Sequence, residues 1–131
     1  LQKIRQETLQ SFLPQMVVED IYKLIIDNEI DFQIVKPRKR VLGTCYRNKN
    51  IITINNNLDK YSFLIVTLHE FAHFFANKNS TLKIPPHGKQ WKEEYSKLLK
   101  EYLYKGVFPK HIAEQVFLLI RKPTATYSIK V

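Results

Sequence analysis

The sequence predicts an α+β fold in one domain, and three observations lead to that prediction. Apolar residues recur at helical spacing over residues 1–26, short segments alternate with period two between residues 30 and 55, and helical spacing returns over residues 58–120. Of the 131 residues, 44% are hydrophobic and 25% are charged, as in an ordinary globular domain. This composition excludes disordered, collagen-like and disulfide-scaffold proteins.

The first half of the chain is predicted to form a helical segment and a small sheet. The helical segment covers residues 1–26 and is kinked at Pro14. A first strand runs over residues 30–37, and two more, over residues 41–47 and 51–55, are joined by a short polar turn typical of a hairpin. We therefore expect a three-stranded sheet.

The second half is predicted to be helical. Residues 58–77 are apolar around most of the circumference of a helix, which indicates a buried helix. A second helix begins near Trp91 and ends near Gly106, and Pro109 is well placed to open a last helix that continues to residue 120. The pattern assigns no structure to residues 124–131.

The predicted buried helix contains the motif His69-Glu70-Phe71-Ala72-His73. Residues four apart share one helix face, so both imidazoles can reach one metal ion. Glu70 projects near the same place, where it can act as a general base on the attacking water. The alternative is a solvated polar stripe on a core helix, but the neighbouring residues are mostly apolar.

A catalytic zinc site needs a third protein ligand and an open fourth position. The metzincin pattern requires a histidine where this chain has Asn79 and a glycine where it has Ala76, so that class is excluded. His87, in a Pro-Pro-His-Gly loop before the next helix, is the favoured third ligand. A glutamate from a later helix serves in gluzincins, and the candidates here are Glu93, Glu94 and Glu101.

Four segments, residues 40–43, 51–55, 67–73 and 87–91, together resemble the SprT-like family. The resemblance implies a zincin-like fold and a zinc metalloprotease that binds one Zn²⁺ through His69, His73 and His87, with Glu70 as general base. The family includes the Spartan proteases, which degrade proteins crosslinked to DNA, so the resemblance also implies DNA-associated protein substrates.

Two other functions stay open on the sequence. Zinc can be structural in a nucleic-acid-binding or adaptor module without significant hydrolysis, although such a module has no need of Glu70. A zinc hydrolase acting on a small amide has the same motif. Many family members carry a C-terminal zinc ribbon with paired cysteines, whereas Cys45 is the single cysteine here. We therefore expect one domain over residues 1–131 without the ribbon.

The chain carries a formal net charge of +9, and residues 36–40 contain four cations. Cations in such a cluster can hold a phosphate backbone, so Arg38, Lys39 and Arg40 are candidates for non-specific DNA binding. The alternative is a solvated basic surface. A protein or peptide substrate and DNA are thus the expected partners.

Several other side chains are chemically capable of a role in the site. Trp91 lies at helical spacing with apolar neighbours, which favours the core over a substrate groove. Cys45 has no neighbouring base in the sequence and is expected to be an unreactive, buried residue. The chemically capable oxyanion donors are Tyr46, Tyr61, Tyr95 and His111. Without a disulfide pair or an apolar run of membrane-spanning length, the chain is expected to be cytoplasmic and to have no membrane partner.

Overall fold

A computed structural model describes residues 3–125 and 129–130 of the chain. These residues form an α+β fold, as predicted, with five α-helices and one three-stranded sheet. The helices are α1 (Gln6–Gln10), α2 (Val18–Asp27), α3 (Lys60–Lys78), α4 (Lys89–Tyr104) and α5 (Lys110–Arg121), and the strands are β1 (Asp31–Val35), β2 (Gly43–Tyr46) and β3 (Ile51–Asn55).

The N-terminal segment departs from one kinked helix. Two helices, α1 and α2, are separated by Pro14 and a 3₁₀ turn over Gln15–Val17. Pro14 has no N–H to bond to the carbonyl of Gln10, which is the last residue of α1, and the chain starts a new turn at Gln15. Leu1 and Gln2, which the predicted helical segment included, lie outside the described residues.

The sheet has the strand order β1-β3-β2. β2 and β3 form the predicted antiparallel hairpin, and β1 pairs with β3 in parallel. β2 is shorter than predicted, because Val41 and Leu42 belong to the connection that precedes it. As a result β3 is central, and β2 is an edge strand.

Helix α3 is the centre of the molecule, and most of its residues are buried, as the sequence predicted. The Asp59 carboxylate caps the helix by accepting hydrogen bonds from the amides of Tyr61 and Ser62 at 3.1 and 3.0 Å. The sheet lies on one side of α3 and α4 on another, while α5 packs on α4. An apolar circumference suits a helix covered on several sides, because each side buries hydrocarbon.

Within the described residues, no helix is both long and apolar enough to span a bilayer.

Candidate metal centre

Three imidazoles meet at the centre of α3. Nε2 of His87 lies 3.2 Å from Nε2 of His69 and 3.1 Å from Nε2 of His73. For a tetrahedral zinc with Zn–N distances of 2.0–2.1 Å, the nitrogens would be about 3.3 Å apart. The donor atoms and their spacing therefore fit a metal ion, and this group is the only cluster of three such ligands among residues 3–125 and 129–130.

The loop that carries His87 is a tight turn. The amide of Gly88 donates to the carbonyl of Pro85 at 3.3 Å, and His87, the third residue of the turn, has φ = 61°. A type II turn requires positive φ at its third position and favours proline at its second, where this chain has Pro86. A histidine in this left-handed conformation is uncommon, and such strain clusters at functional sites. The turn brings His87 back over α3.

Trp91, in the first turns of α4, supports all three histidines. Its ring centroid lies 4.8 Å from that of His69, 5.5 Å from that of His73 and 4.6 Å from that of His87. Its indole Nε1–H donates to the His69 carbonyl at 3.2 Å. Trp91 is 1% exposed, which confirms that it belongs to the core. The same packing holds the imidazole rings in place.

Burial keeps the imidazoles neutral. Burial, together with the nearby rings of His73 and His87, lowers the pKa of His69 to about 2. Burial and His87 lower the pKa of His73 to about 4, and burial lowers the pKa of His87 as well. At neutral pH all three therefore have the unprotonated nitrogen that a metal ion needs.

Glu70 is 3% exposed and lies against β2. A Cβ built on Gly43 would stand 3.1 Å from Glu70 Cγ and 2.8 Å from Val66 Cγ1, so the strand and the helix approach closely only because residue 43 is a glycine. This contact was not predicted from the sequence. An isolated glycine inside a strand pattern is the signal that can reveal it.

Two cavities flank the histidines, and Glu70, His73 and His87 line both of them. One, of about 390 Å³, extends towards residues 40–43 and Ala125. The other, of about 370 Å³, extends between β2 and the loop of residues 83–86. A peptide or other extended molecule can thus reach the histidines along β2.

The alternative ligands and oxyanion donors lie elsewhere. Glu93 and Glu101 line a groove between α4 and α5, and the histidine cluster includes no glutamate. The ring of Tyr95, one of the oxyanion candidates, lies 5.4 Å from that of His69, but Tyr95 is fully buried and stacks on Trp91. The described residues that line the two cavities do not include Tyr46, Tyr61, Tyr95 or His111.

Cys45 is half-buried on β2. Burial and the Glu70 carboxylate raise the pKa of its thiol to about 12, so it stays protonated at neutral pH. The raised pKa agrees with the prediction that Cys45 is unreactive, but the side chain is only half-buried, whereas a buried residue was expected.

The three nucleic-acid candidates differ in exposure. The Arg38 Nε donates to Oδ1 of Asn55 at 2.9 Å, and Asn55, 1% exposed, also donates through Nδ2 to the Val41 carbonyl at 2.8 Å. Arg38 is thus half-buried and fastens the connection between β1 and β2, whereas Lys39 and Arg40 are exposed. The role of Asn55 was not evident in the sequence.

Comparison with known proteins agrees with this geometry. Searches of curated proteins and of solved structures gave no match. A model of the SprT-like family matches residues 9–110, which include the three histidines, Glu70 and all three strands. Because this match covers well over half of the chain, the protein belongs to the SprT-like family.

Proposed function

We propose that the protein is a zinc-dependent metallopeptidase, in which His69, His73 and His87 hold the zinc and Glu70 is the general base. The observation that carries the proposal is the convergence of three neutral imidazoles beside a glutamate that lines the same cavities. When bound, zinc supplies Lewis-acid polarisation of the scissile carbonyl and activation of water.

The chain's own residues supply the proton transfers and the positioning. Glu70 accepts a proton from the attacking water, whose oxygen bonds to the carbonyl carbon, and passes that proton to the leaving nitrogen as the C–N bond breaks. Trp91 keeps the histidine rings oriented. Glu70 packs closely against Gly43, and this contact restricts the position of its side chain.

The geometry favours this function over a structural zinc. Structural zinc sites are closed by four protein ligands, while catalytic ones keep three and an open position. The cluster in the described residues comprises three histidines, and cavities adjoin it on two sides. This supports a position that water or substrate can occupy.

Metal analysis tests the ligands. We expect one zinc per chain in the wild-type protein and a clear loss in His87→Ala. His111→Ala is the matched control, since His111 is an exposed histidine on α5, and it should keep its zinc. Full zinc occupancy in His87→Ala would contradict the proposed ligand set.

Substitution of Glu70 tests the chemistry. Glu70→Gln keeps the side-chain shape but cannot accept the proton, so hydrolysis of a denatured protein should fall at least about 100-fold at equal zinc content. Equal rates for the two proteins would remove Glu70 from the mechanism and favour the adaptor module with a structural zinc.

A further inference from the structure

The cavities beside the histidines are lined by positive charge. Arg40 lines the first cavity, and Arg47 and Lys83 line the second. All three side chains are exposed, and none of them forms an ion pair with another described residue. Glu70, which the proposed mechanism uses, is the only carboxylate among the described lining residues.

The lining of the other cavities differs from place to place. The groove between α4 and α5 includes Glu93 and Glu101 among its lysines, and the cavity on the far side of Cys45, which Arg47 also lines, includes Asp27 and Glu29. A further cavity beside α5 is lined by Arg121 and Lys122 without a carboxylate. What distinguishes Arg40, Arg47 and Lys83 from the other cations is their position next to the candidate metal centre and beside β2. Unpaired cations in a concave site concentrate field lines and attract anionic ligands.

The edge of β2 offers a track for an extended polypeptide. The Asn55 amide donates to the Leu42 carbonyl at 2.9 Å, and bonded and non-bonded pairs alternate along an antiparallel ladder. The backbone N–H and C=O groups of Gly43 and Cys45 therefore point away from β3, to the free edge. A peptide can pair with these groups as an added strand.

Arg40 and Arg47 lie just before and just after β2, and this places them relative to Glu70. Gly43 lies next to Glu70. Arg40 precedes Gly43 by three residues, and Arg47 follows Gly43 by four. Because even a fully extended chain advances only about 3.3 Å per residue, these separations are at most roughly 10 and 13 Å. Because an arginine side chain is long, side chains two to four positions from the scissile bond fall within its reach.

We propose that the groove selects acidic polypeptide segments, with Arg47 and Lys83 binding carboxylates on one side of the scissile bond and Arg40 on the other. This inference rests on the proposed peptidase function and names its substrate class. A polypeptide is favoured over a nucleic acid because the same groove offers strand-pairing backbone groups, which a nucleic acid cannot use.

The experiment compares isosteric peptides. The bond cut in a denatured protein is mapped by mass spectrometry, and peptides around it are made with Glu or Gln two to four residues away on each side. We expect the Glu peptides to have the higher kcat/KM, by about 2- to 5-fold for each contacting carboxylate, and the difference to shrink as salt rises.

Charge reversal identifies the cations. In the Arg47→Glu/Lys83→Glu variant the preference for Glu peptides should vanish or invert, while zinc content stays the same. The control is Lys97→Glu/Lys100→Glu, an equal change of charge at exposed lysines of the groove between α4 and α5, which should keep the wild-type preference. Equal cleavage of Glu and Gln peptides by the wild-type protein would overturn the inference and leave the peptidase function standing.

A binding assay distinguishes a failure of the proposed groove specificity from a failure of the proposed peptidase function. Zinc-loaded Glu70→Gln protein is titrated by fluorescence anisotropy with labelled, unstructured peptides that carry either Glu or Gln at matched positions; the design of these peptides does not need a mapped cleavage site. If wild-type protein cuts nothing but this variant binds Glu peptides more tightly, and Arg47→Glu/Lys83→Glu removes the difference, the groove specificity holds and the peptidase function fails. If a single-stranded oligonucleotide binds more tightly than the Glu peptides and the charge reversal abolishes that binding alone, the groove belongs to nucleic acid and the inference is wrong.

Discussion

Gly43→Ala tests whether close approach of β2 to α3 positions Glu70. The added methyl group would stand 2.8 Å from Val66 Cγ1, 3.0 Å from the Thr53 carbonyl oxygen and 3.1 Å from Glu70 Cγ. Comfortable contacts between carbon atoms are about 3.5–4.0 Å, so the first one falls short by about 0.7 Å or more. Val66 is β-branched and 1% exposed, which leaves it little freedom to turn away.

The size of the effect follows from this overlap. Overpacking of this kind costs about 1–3 kcal/mol of the free energy of unfolding. With an unfolding entropy of about 2.1 cal/mol/K per residue over 131 residues, that cost lowers Tm by about 4–11 °C. A shift of about 1 Å at Glu70 would also lower kcat by about 100-fold, at unchanged zinc content.

Calorimetry, zinc analysis and peptide hydrolysis measure the three effects. Gly106→Ala is the control: its φ of 74° makes alanine strained there, but nothing lies within 4 Å of the added Cβ, so it should lose stability and keep its activity at temperatures where it is folded. Wild-type Tm and activity in Gly43→Ala would refute the argument. A lower Tm with full activity would show that Val66 yields to the methyl group and that Glu70 does not depend on Gly43.

Three further predictions follow from the same structural features. Trp91→Phe removes the hydrogen bond to the His69 carbonyl and part of the packing on the imidazoles, and should weaken zinc affinity measured by competition with a chelator. In the metal-free protein, the pKa values of His69 and His73 are lowered, so below pH 6.5 the unfolded state binds more protons than the folded state. The free energy of unfolding, measured in urea, should therefore decrease as the pH is lowered from 6.5 to about 4, by up to about 1.4 kcal/mol per pH unit for each histidine. It should be nearly independent of pH between 7 and 8. Lys39→Glu/Arg40→Glu should weaken non-specific DNA binding, measured by fluorescence anisotropy. The slope of log affinity against log salt should become shallower by about 0.9 for each phosphate that the variant no longer neutralises. An unchanged slope would show that neither residue contacts DNA.

The predictable part of the fold is the part with strong local signals. The period of the apolar residues located α3, α4 and α5 to within two residues, and the polar turn identified the β2–β3 hairpin. The four-residue spacing of His69 and His73 predicts that both side chains lie on one face of a helix, and the structure agrees with that prediction. Pro14 was identified as a disruption, but whether a helix bends or breaks there depends on packing that the local sequence does not contain.

The features that the sequence could not reveal depend on contacts between distant segments. Asn55 fastens residues 38 and 41 from the end of another strand, and the parallel pairing of β1 with β3 has no local signal at all. His87 was a candidate because of its loop, but its convergence with the other histidines requires the left-handed turn and the support of Trp91 from α4. Each of these depends on which surfaces meet, and hydrophobic period alone does not specify that.

Arg40 takes part in both proposals about charge, DNA binding and selection of acidic peptides. It is next to Lys39 on the exposed connection between β1 and β2, and it also lines a cavity beside Glu70. The neighbours of Arg40 separate the proposals: Lys39 is not among the residues that line either cavity, and Lys83 lies on the far side of the histidines. A DNA contact should therefore respond to Lys39→Glu and not to Lys83→Glu, and selection of acidic peptides should respond in the opposite way. If both changes affect both assays equally, the net charge of the protein accounts for binding, and neither segment is a specific site.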